Sequence, residues 1–226
     1  MVRYAFTMIE LIFALVIMGI TFISLPLIIV NDSTSVERNL MQEAVFASAT
    51  KLGQILSYRW DENSVDPDPA LEATDVVNTG GDPELNRNAD DFRIGHFVQP
   101  LHRRMTPNGI QRAATAIGPD GGDLDDIDDF NAAGTSDLIA ATSQRGYKKN
   151  YRITTTVSYV SDAAAYANSV IAFAFGTGAL AGGTSNLKMV QIDTDQQNAA
   201  GAWTPILTLR SYSANIGETD FYMRTY

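Results

Sequence analysis

Near its start the sequence reads Phe6-Thr7-Met8-Ile9-Glu10-Leu11-Ile12-Phe13-Ala14-Leu15-Val16-Ile17-Met18-Gly19-Ile20, and apolar residues continue this stretch to Val30. No charged residue occurs from Leu11 to Val30. As a helix at about 1.5 Å per residue, this run would extend roughly 30 Å, the thickness of the hydrocarbon core of a bilayer. The pattern predicts a transmembrane helix over residues 6–30, with the carboxylate of Glu10 near its edge.

A second helical pattern follows the apolar run. Its apolar residues recur at spacings close to three and four, while charged residues occupy the other positions. The apolar positions are Val36, Leu40, Ala44, Val45, Leu52, Ile55 and Leu56. This spacing predicts that the helix continues to about Tyr58 and turns one face toward a folded domain.

The remainder of the chain divides into a loop and a sheet. Residues 59–91 are rich in Asp, Asn, Pro and Gly, which indicates a linker or surface loop. Residues 92–226 form the predicted globular head, in which 151–160, 187–192 and 205–212 alternate as antiparallel strands do. The predicted fold class is α+β, a long N-terminal helix, membrane-spanning in its first half, packed on a C-terminal antiparallel β-sheet.

Composition excludes several function classes. The formal net charge is −10, which disfavours nucleic acid as a partner. There is no cysteine, so disulfides, thiolate catalysis and cysteine-based zinc sites are excluded. The two histidines, His96 and His102, belong to no catalytic motif, and no phosphate-binding or hydrolase motif occurs. The sequence therefore predicts a protein that is not an enzyme and offers no catalytic residue.

The densest acidic cluster lies within residues 118–131. Its candidate ligands for a metal are Asp123, Asp125, Asp126, Asp128 and Asp129. Calcium is the cofactor that would suit them, because it accepts six to eight oxygen ligands in irregular geometry, although the spacing is not that of an EF-hand. A solvated acidic turn and a surface for docking a partner are the alternatives that the residues leave open.

The N-terminus resembles that of type IV prepilins and type II secretion pseudopilins. The resemblance rests on a short leader with one basic residue, Met1-Val2-Arg3-Tyr4-Ala5, followed by Phe-Thr-Met-Ile-Glu-Leu and the long apolar run. It implies that residues 1–5 are a leader peptide, that a prepilin peptidase cuts between Ala5 and Phe6, and that the new amine of Phe6 is methylated. Ala5 stands where the family usually has Gly.

The same resemblance implies a role for Glu10 and a set of partners. Glu10 becomes the fifth residue of the mature chain, where it would pair with the N-terminal amine of a neighbouring subunit during assembly. The implied partners are other pilin subunits, the peptidase, the membrane and an inner-membrane assembly platform. The implied localisation is a single-pass bacterial inner-membrane precursor with a cytoplasmic N-terminus, and then a periplasmic or cell-surface filament.

A second resemblance concerns the head. Leu124-Asp125-Asp126-Ile127-Asp128-Asp129-Phe130-Asn131 resembles the acidic motif of D-type minor pilins of the mannose-sensitive haemagglutinin system, and residues 211–218 resemble the close of their last strand. Together the two resemblances favour a minor pilin of a type IV pilus-like filament. The alternatives are a type II secretion pseudopilin and a single-pass anchored ectodomain that does not polymerise and serves as a receptor or calcium-binding module.

Overall fold

The computed structural model describes residues 7–65, 75–82, 85, 112–120, 122–131, 135–138, 149–161, 164–180 and 182–217, with the backbone alone at 24–34, 135 and 137. The described chain forms helix α1 (Met8–Leu56) and strands β1 (Thr135–Leu138), β2 (Tyr151–Tyr159), β3 (Leu187–Gln197) and β4 (Trp203–Ala214). Single-turn 3-10 helices lie at Glu62–Ser64 and Asp128–Phe130. Two compact units result, Met1–Val45 and Phe46–Tyr226.

The sheet of the second unit is an antiparallel meander in which each strand pairs with the next, in the order β1-β2-β3-β4. Its register places Val157 opposite Val190, and Thr155 opposite Ile192. Alternation along the strands then turns one set of side chains toward a shared core. The buried members of this core are Ala47, Ile55, Ile127, Phe130, Ile153, Val157, Val190 and Ile192.

The end of β4 is tied to a preceding loop by one amide side chain. Asn215 accepts a hydrogen bond from the Val77 N–H at 3.2 Å and donates one to the Val77 carbonyl at 2.8 Å. Its amide nitrogen also donates to Asn186 Oδ1 at 2.9 Å. Since Asn215 is 1% exposed, these bonds satisfy polar groups that burial would otherwise leave unpaired.

The structure contradicts the predicted fold class. In the described part of the chain no helix combines the length and the apolar character needed to cross a membrane. The prediction of a membrane-spanning first half is therefore wrong, and so is the predicted localisation as a single-pass inner-membrane precursor.

The prediction that the long helix packs on the sheet is also wrong. The compact unit that contains the sheet begins at Phe46, so only the end of α1 belongs to it. Ala47 and Ile55 are the buried helix residues of the sheet's core, and Leu52 and Leu56 are partly buried beside them. The short helix Asp128–Phe130 contacts β2 and completes this side of the core with Phe130.

Candidate functional site

The described part of α1 in the first unit carries an apolar surface without a cover. Residues 8–23 include twelve large apolar side chains, each more than half exposed. They are Met8, Ile9, Leu11, Ile12, Phe13, Leu15, Val16, Ile17, Met18, Ile20, Phe22 and Ile23. Because consecutive helical residues are rotated by about 100°, these positions surround the helix rather than form one stripe.

Glu10 is the acidic residue in the first turn of this helix, and its side chain is exposed. An acidic residue there is favourable because the free N–H groups give the N-terminus of a helix a partial positive charge. Ala5 and Phe6, the residues predicted to flank the cleavage site, lie outside the described residues. The geometry of processing therefore remains a prediction.

A buried ionic centre lies in the second unit. We call it the Lys188 centre and define it by Lys188, Asp61, Asp126 and Asp128, with the aromatic rings of Trp60 and Tyr159. All four charged side chains are at most 1% exposed. The Lys188 ammonium contacts Asp128 Oδ1 directly, lies 3.5 Å from Asp61 Oδ2, and donates to the Trp60 carbonyl at 2.6 Å. It also lies 4.1 Å from the centre of the Trp60 ring.

The register of the sheet explains why a lysine enters the core here. Lys188 pairs with Tyr159 across β2 and β3, and it shares its side of β3 with Val190 and Ile192. Side chains two residues apart on a strand point to the same face, so Lys188 points to the side that the core occupies. The Trp60 ring lies beside the Lys188 ammonium, and a hydrogen bond from its Nε1 to the Ser213 carbonyl at 3.1 Å holds it there.

Backbone amides hold two of the carboxylates. Asp61 Oδ1 accepts the Asn63 N–H at 3.0 Å and caps the helix Glu62–Ser64, while Oδ2 accepts the Thr115 N–H at 3.0 Å. Asp126 Oδ2 accepts the Glu62 N–H at 2.7 Å, and Oδ1 accepts the N–H groups of Asp128 and Asp129. Asx turns of this kind explain why the local sequence bends into a compact loop.

Electrostatics in the centre are dominated by burial. Burial raises the pKa of Asp128 to about 7, with the Lys188 charge opposing the rise and the Asp126 charge adding to it. Burial also raises the pKa of Asp126. Three carboxylates against one ammonium leave an excess of negative charge in a dry region, which favours a protonated acid.

The Tyr159 hydroxyl adds a polar group without a hydrogen-bond partner in the described structure. Tyr159 is 6% exposed, and its ring lies 5.6 Å from the Lys188 ammonium. Burial raises the pKa of this phenol, and the charges of Asp61, Asp128 and Asp126 raise it further. A neutral hydroxyl is thus retained beside the carboxylates.

The structure brings together only part of the predicted calcium ligands. Asp126 and Asp128 meet Asp61, and one oxygen of each lies within 4.8 Å of the others, which is close enough for a shared cation. Asp129 instead accepts backbone N–H groups, Asp125 pairs with Arg59 at 3.0 Å, and Asp123 is exposed. Lys188 already supplies a positive charge within the group, and calcium binding stays a prediction.

Asp61 and Lys188 were missed by the sequence analysis. Asp61 lies in a stretch that reads as a polar linker, and nothing in its neighbours marks it as buried. Lys188 did carry a signal, because it lies in phase with the apolar residues Val190 and Ile192 on the same strand. A charged residue in phase with core positions indicates a buried ion pair.

Comparison of the chain with family models, with curated proteins and with solved structures finds no match.

Proposed function

We propose that this chain is a structural subunit of a type IV pilus-like filament, cut before Phe6 by a prepilin peptidase and polymerised through its N-terminal helix. The observation that supports the proposal most directly is the apolar surface of residues 8–23, where twelve large side chains are more than half exposed. Exposed apolar surface of this extent is characteristic of interaction sites. The sequence resemblance around Phe6 and Glu10 supports the same reading.

In this proposal, copies of the same helix in neighbouring subunits cover the apolar surface of residues 8–23. A helix that is apolar on all sides is stable when neighbours enclose it, rather than when it packs by one stripe. Head-to-tail contacts between identical subunits generate an open helical filament if the rotation does not close. Polymerisation thus removes the apolar side chains from water, with the neighbouring helices supplied by copies of this chain or by other pilin subunits.

Glu10 gives the assembly a register. A carboxylate enclosed among apolar helices is costly unless a positive group pairs with it. The proposal assigns that role to the methylated amine of Phe6 in a neighbouring subunit. A subunit shifted along the filament leaves Glu10 unpaired, so the correct offset is favoured.

Within this class we propose a minor pilin rather than a type II secretion pseudopilin. The support is the resemblance of residues 124–131 and 211–218 to D-type minor pilins. The assembly partners are then other pilin subunits and the assembly platform, and the head formed by Phe46–Tyr226 is the part left for contacts outside the filament core.

The test compares Glu10→Ala with Glu37→Ala, an exposed acidic residue farther along the same helix. The native strain and a strain without the peptidase are grown, filaments are sheared from cells, and the N-terminal peptide is identified by mass spectrometry. We expect a peptide that begins at methylated Phe6 only where the peptidase is present. Glu10→Ala is expected to lower incorporation at least roughly tenfold because a buried pair is lost, while Glu37→Ala incorporates normally.

Two results would contradict the proposal. An uncut N-terminus in both strains would show that the resemblance around Phe6 is misleading. Equal incorporation of the two variants would show that Glu10 does not set the register, even if the chain is processed.

A further inference from the structure

The contact between Lys188 and Asp128 joins an amine and a carboxyl group in the interior of the second unit. Their side chains are 0% and 1% exposed, and the two residues are 60 positions apart in the chain. Lys188 belongs to β3, whereas Asp128 begins the 3-10 helix Asp128–Phe130. The chain has no cysteine, so a disulfide cannot secure this loop to the sheet.

We propose that Lys188 and Asp128 condense into an intramolecular amide that covalently ties the loop of residues 122–131 to strand β3. In this reaction the neutral Nζ attacks Cγ of the protonated Asp128 carboxyl group. The new bond is Nζ–Cγ, the bond that breaks joins Cγ to the departing hydroxyl, and one water molecule leaves. No oxidant, reductant or activating group is needed. The proposal concerns the second unit alone and does not rest on the filament function.

The surroundings supply the protonation states that the reaction requires. Condensation needs an uncharged amine and an un-ionised acid, whereas an exposed pair at neutral pH would be an ammonium and a carboxylate. Proton transfer within the contact produces the neutral pair, and a dry site lined by Trp60 and Tyr159 favours it over two buried charges. The pKa of Asp128, raised by burial to about 7, leaves a large fraction of this carboxyl group un-ionised near neutral pH.

Two further carboxylates are placed to move protons. Asp61 Oδ2 lies 3.5 Å from Nζ and is positioned to take the proton that the amine releases when it attacks. An oxygen of Asp126 lies within 4.8 Å of an oxygen of Asp128, and the proton taken from the amine leaves with the hydroxyl group as water. Backbone N–H groups hold both carboxylates in place, so neither must reorganise during the reaction.

Fixed geometry accounts for the rate. When two reacting groups are held in contact inside a fold, the effective concentration of one group around the other can be about 10⁵ M or more. The same burial limits access of water, which would otherwise return the amide to its acid and amine.

The test is peptide mapping of the full chain, purified in its folded state, then denatured and digested with trypsin. We expect a branched peptide in which Lys188 is joined to Asp128, with a mass one water below the sum of its parts and no cleavage after Lys188. Lys188→Arg and Asp128→Ala should each lose the branched peptide. Lys149→Arg, an exposed lysine of the same unit, is the control and should keep it.

Asp61→Asn tests the proposed proton acceptor, since it preserves the shape of the side chain and removes its basicity. We expect the cross-linked fraction to form at least several-fold more slowly in this variant after refolding, while circular dichroism shows the same fold.

The native protein alone can overturn the proposal, whatever the variants do. Linear peptides of full mass, with normal cleavage after Lys188, would show that the pair is only ionic. A loss of water confined to a linear peptide would indicate a cyclic imide at an Asp, and a branch at Asp61 would place the bond on the wrong partner.

Discussion

Replacing Asp129 by Ala removes an acceptor that serves three backbone amides at once. Its carboxylate accepts the N–H groups of Asp120 at 3.3 Å, Asp125 at 2.8 Å and Asp126 at 3.1 Å, and the side chain is 1% exposed. Hydrogen bonds to a charged acceptor contribute about 1.5 kcal/mol each at the lower end of their range. Losing three should lower the free energy of unfolding by about 4.5 kcal/mol.

The loss of stability in Asp129→Ala is large because the three backbone N–H donors lose their acceptor and the substituted side chain offers no replacement. In Asp129→Ala the loop of residues 120–126 retains its amides but lacks an acceptor, and water has little access to the most buried of them. Asp129→Asn keeps one carbonyl oxygen, which can serve two of the donors as a neutral acceptor. We expect that variant to lose about half as much, roughly 2 kcal/mol.

Urea unfolding of the full chain, followed by circular dichroism in a nonionic detergent that covers residues 8–23, measures these differences. Asp123→Ala is the matched control, since it is an exposed acid of the same loop and should stay within about 0.5 kcal/mol of the native protein. In thermal unfolding the Asp129→Ala change corresponds to roughly 10 °C. Asp129→Ala within 1 kcal/mol of the control would refute the reasoning, because the three amides would then be satisfied without this side chain.

Two further predictions concern charge in the same loop. Where Asp128 keeps a free carboxyl group, its folded pKa of about 7 exceeds the unfolded value of 3.8, so its stabilising contribution is complete below pH 3.8 and is lost as the pH rises to 7. Relative to Asp128→Asn, the native protein should therefore lose at most about 4 kcal/mol across this window in urea titrations, and a gain would contradict the assignment. Where Lys188 keeps a free ammonium group, calorimetric titration of the full chain with calcium should give a flat trace, because that charge already offsets the buried carboxylates, whereas saturable heat would support the calcium ligands predicted from the sequence.

The sheet could be predicted from the sequence because the alternation of apolar and polar residues is visible within each strand. The stretches 151–160, 187–192 and 205–212 overlap strands β2, β3 and β4, although β3 continues to Gln197 and β4 runs from Trp203 to Ala214. Burial alternates along the first half of β2, whereas the first four residues of β3 are all buried. Strand β1 was missed, since Thr135–Leu138 is only four residues long and contains one large apolar side chain. The boundary between the two units was missed as well, because periodicity shows which residues can face a core but not where the core begins.

The candidate site was predictable only in part, for a related reason. The run from Asp125 to Asp129 was visible as a concentration of like charge that needs compensation. Its compensation comes partly from backbone amides of the same loop and partly from distant positions, namely the Lys188 ammonium and the Glu62 N–H. Calcium was the counter-ion predicted from the sequence, because the position of Lys188 in phase with Val190 and Ile192 does not show which carboxylates it contacts.

The Lys188 centre also bears on how the chain matures during synthesis. Lys188 lies 128 positions after Trp60 and 60 after Asp128. At about 5–20 residues per second, the indole and the first carboxylates leave the ribosome roughly ten seconds before the amine that neutralises them. Until β3 emerges, the nascent head must remain open and acidic, since closing it would bury uncompensated charge. A ribosome stalled before residue 187 should therefore carry a head that proteases cut readily, and release of the last 40 or so residues should close it.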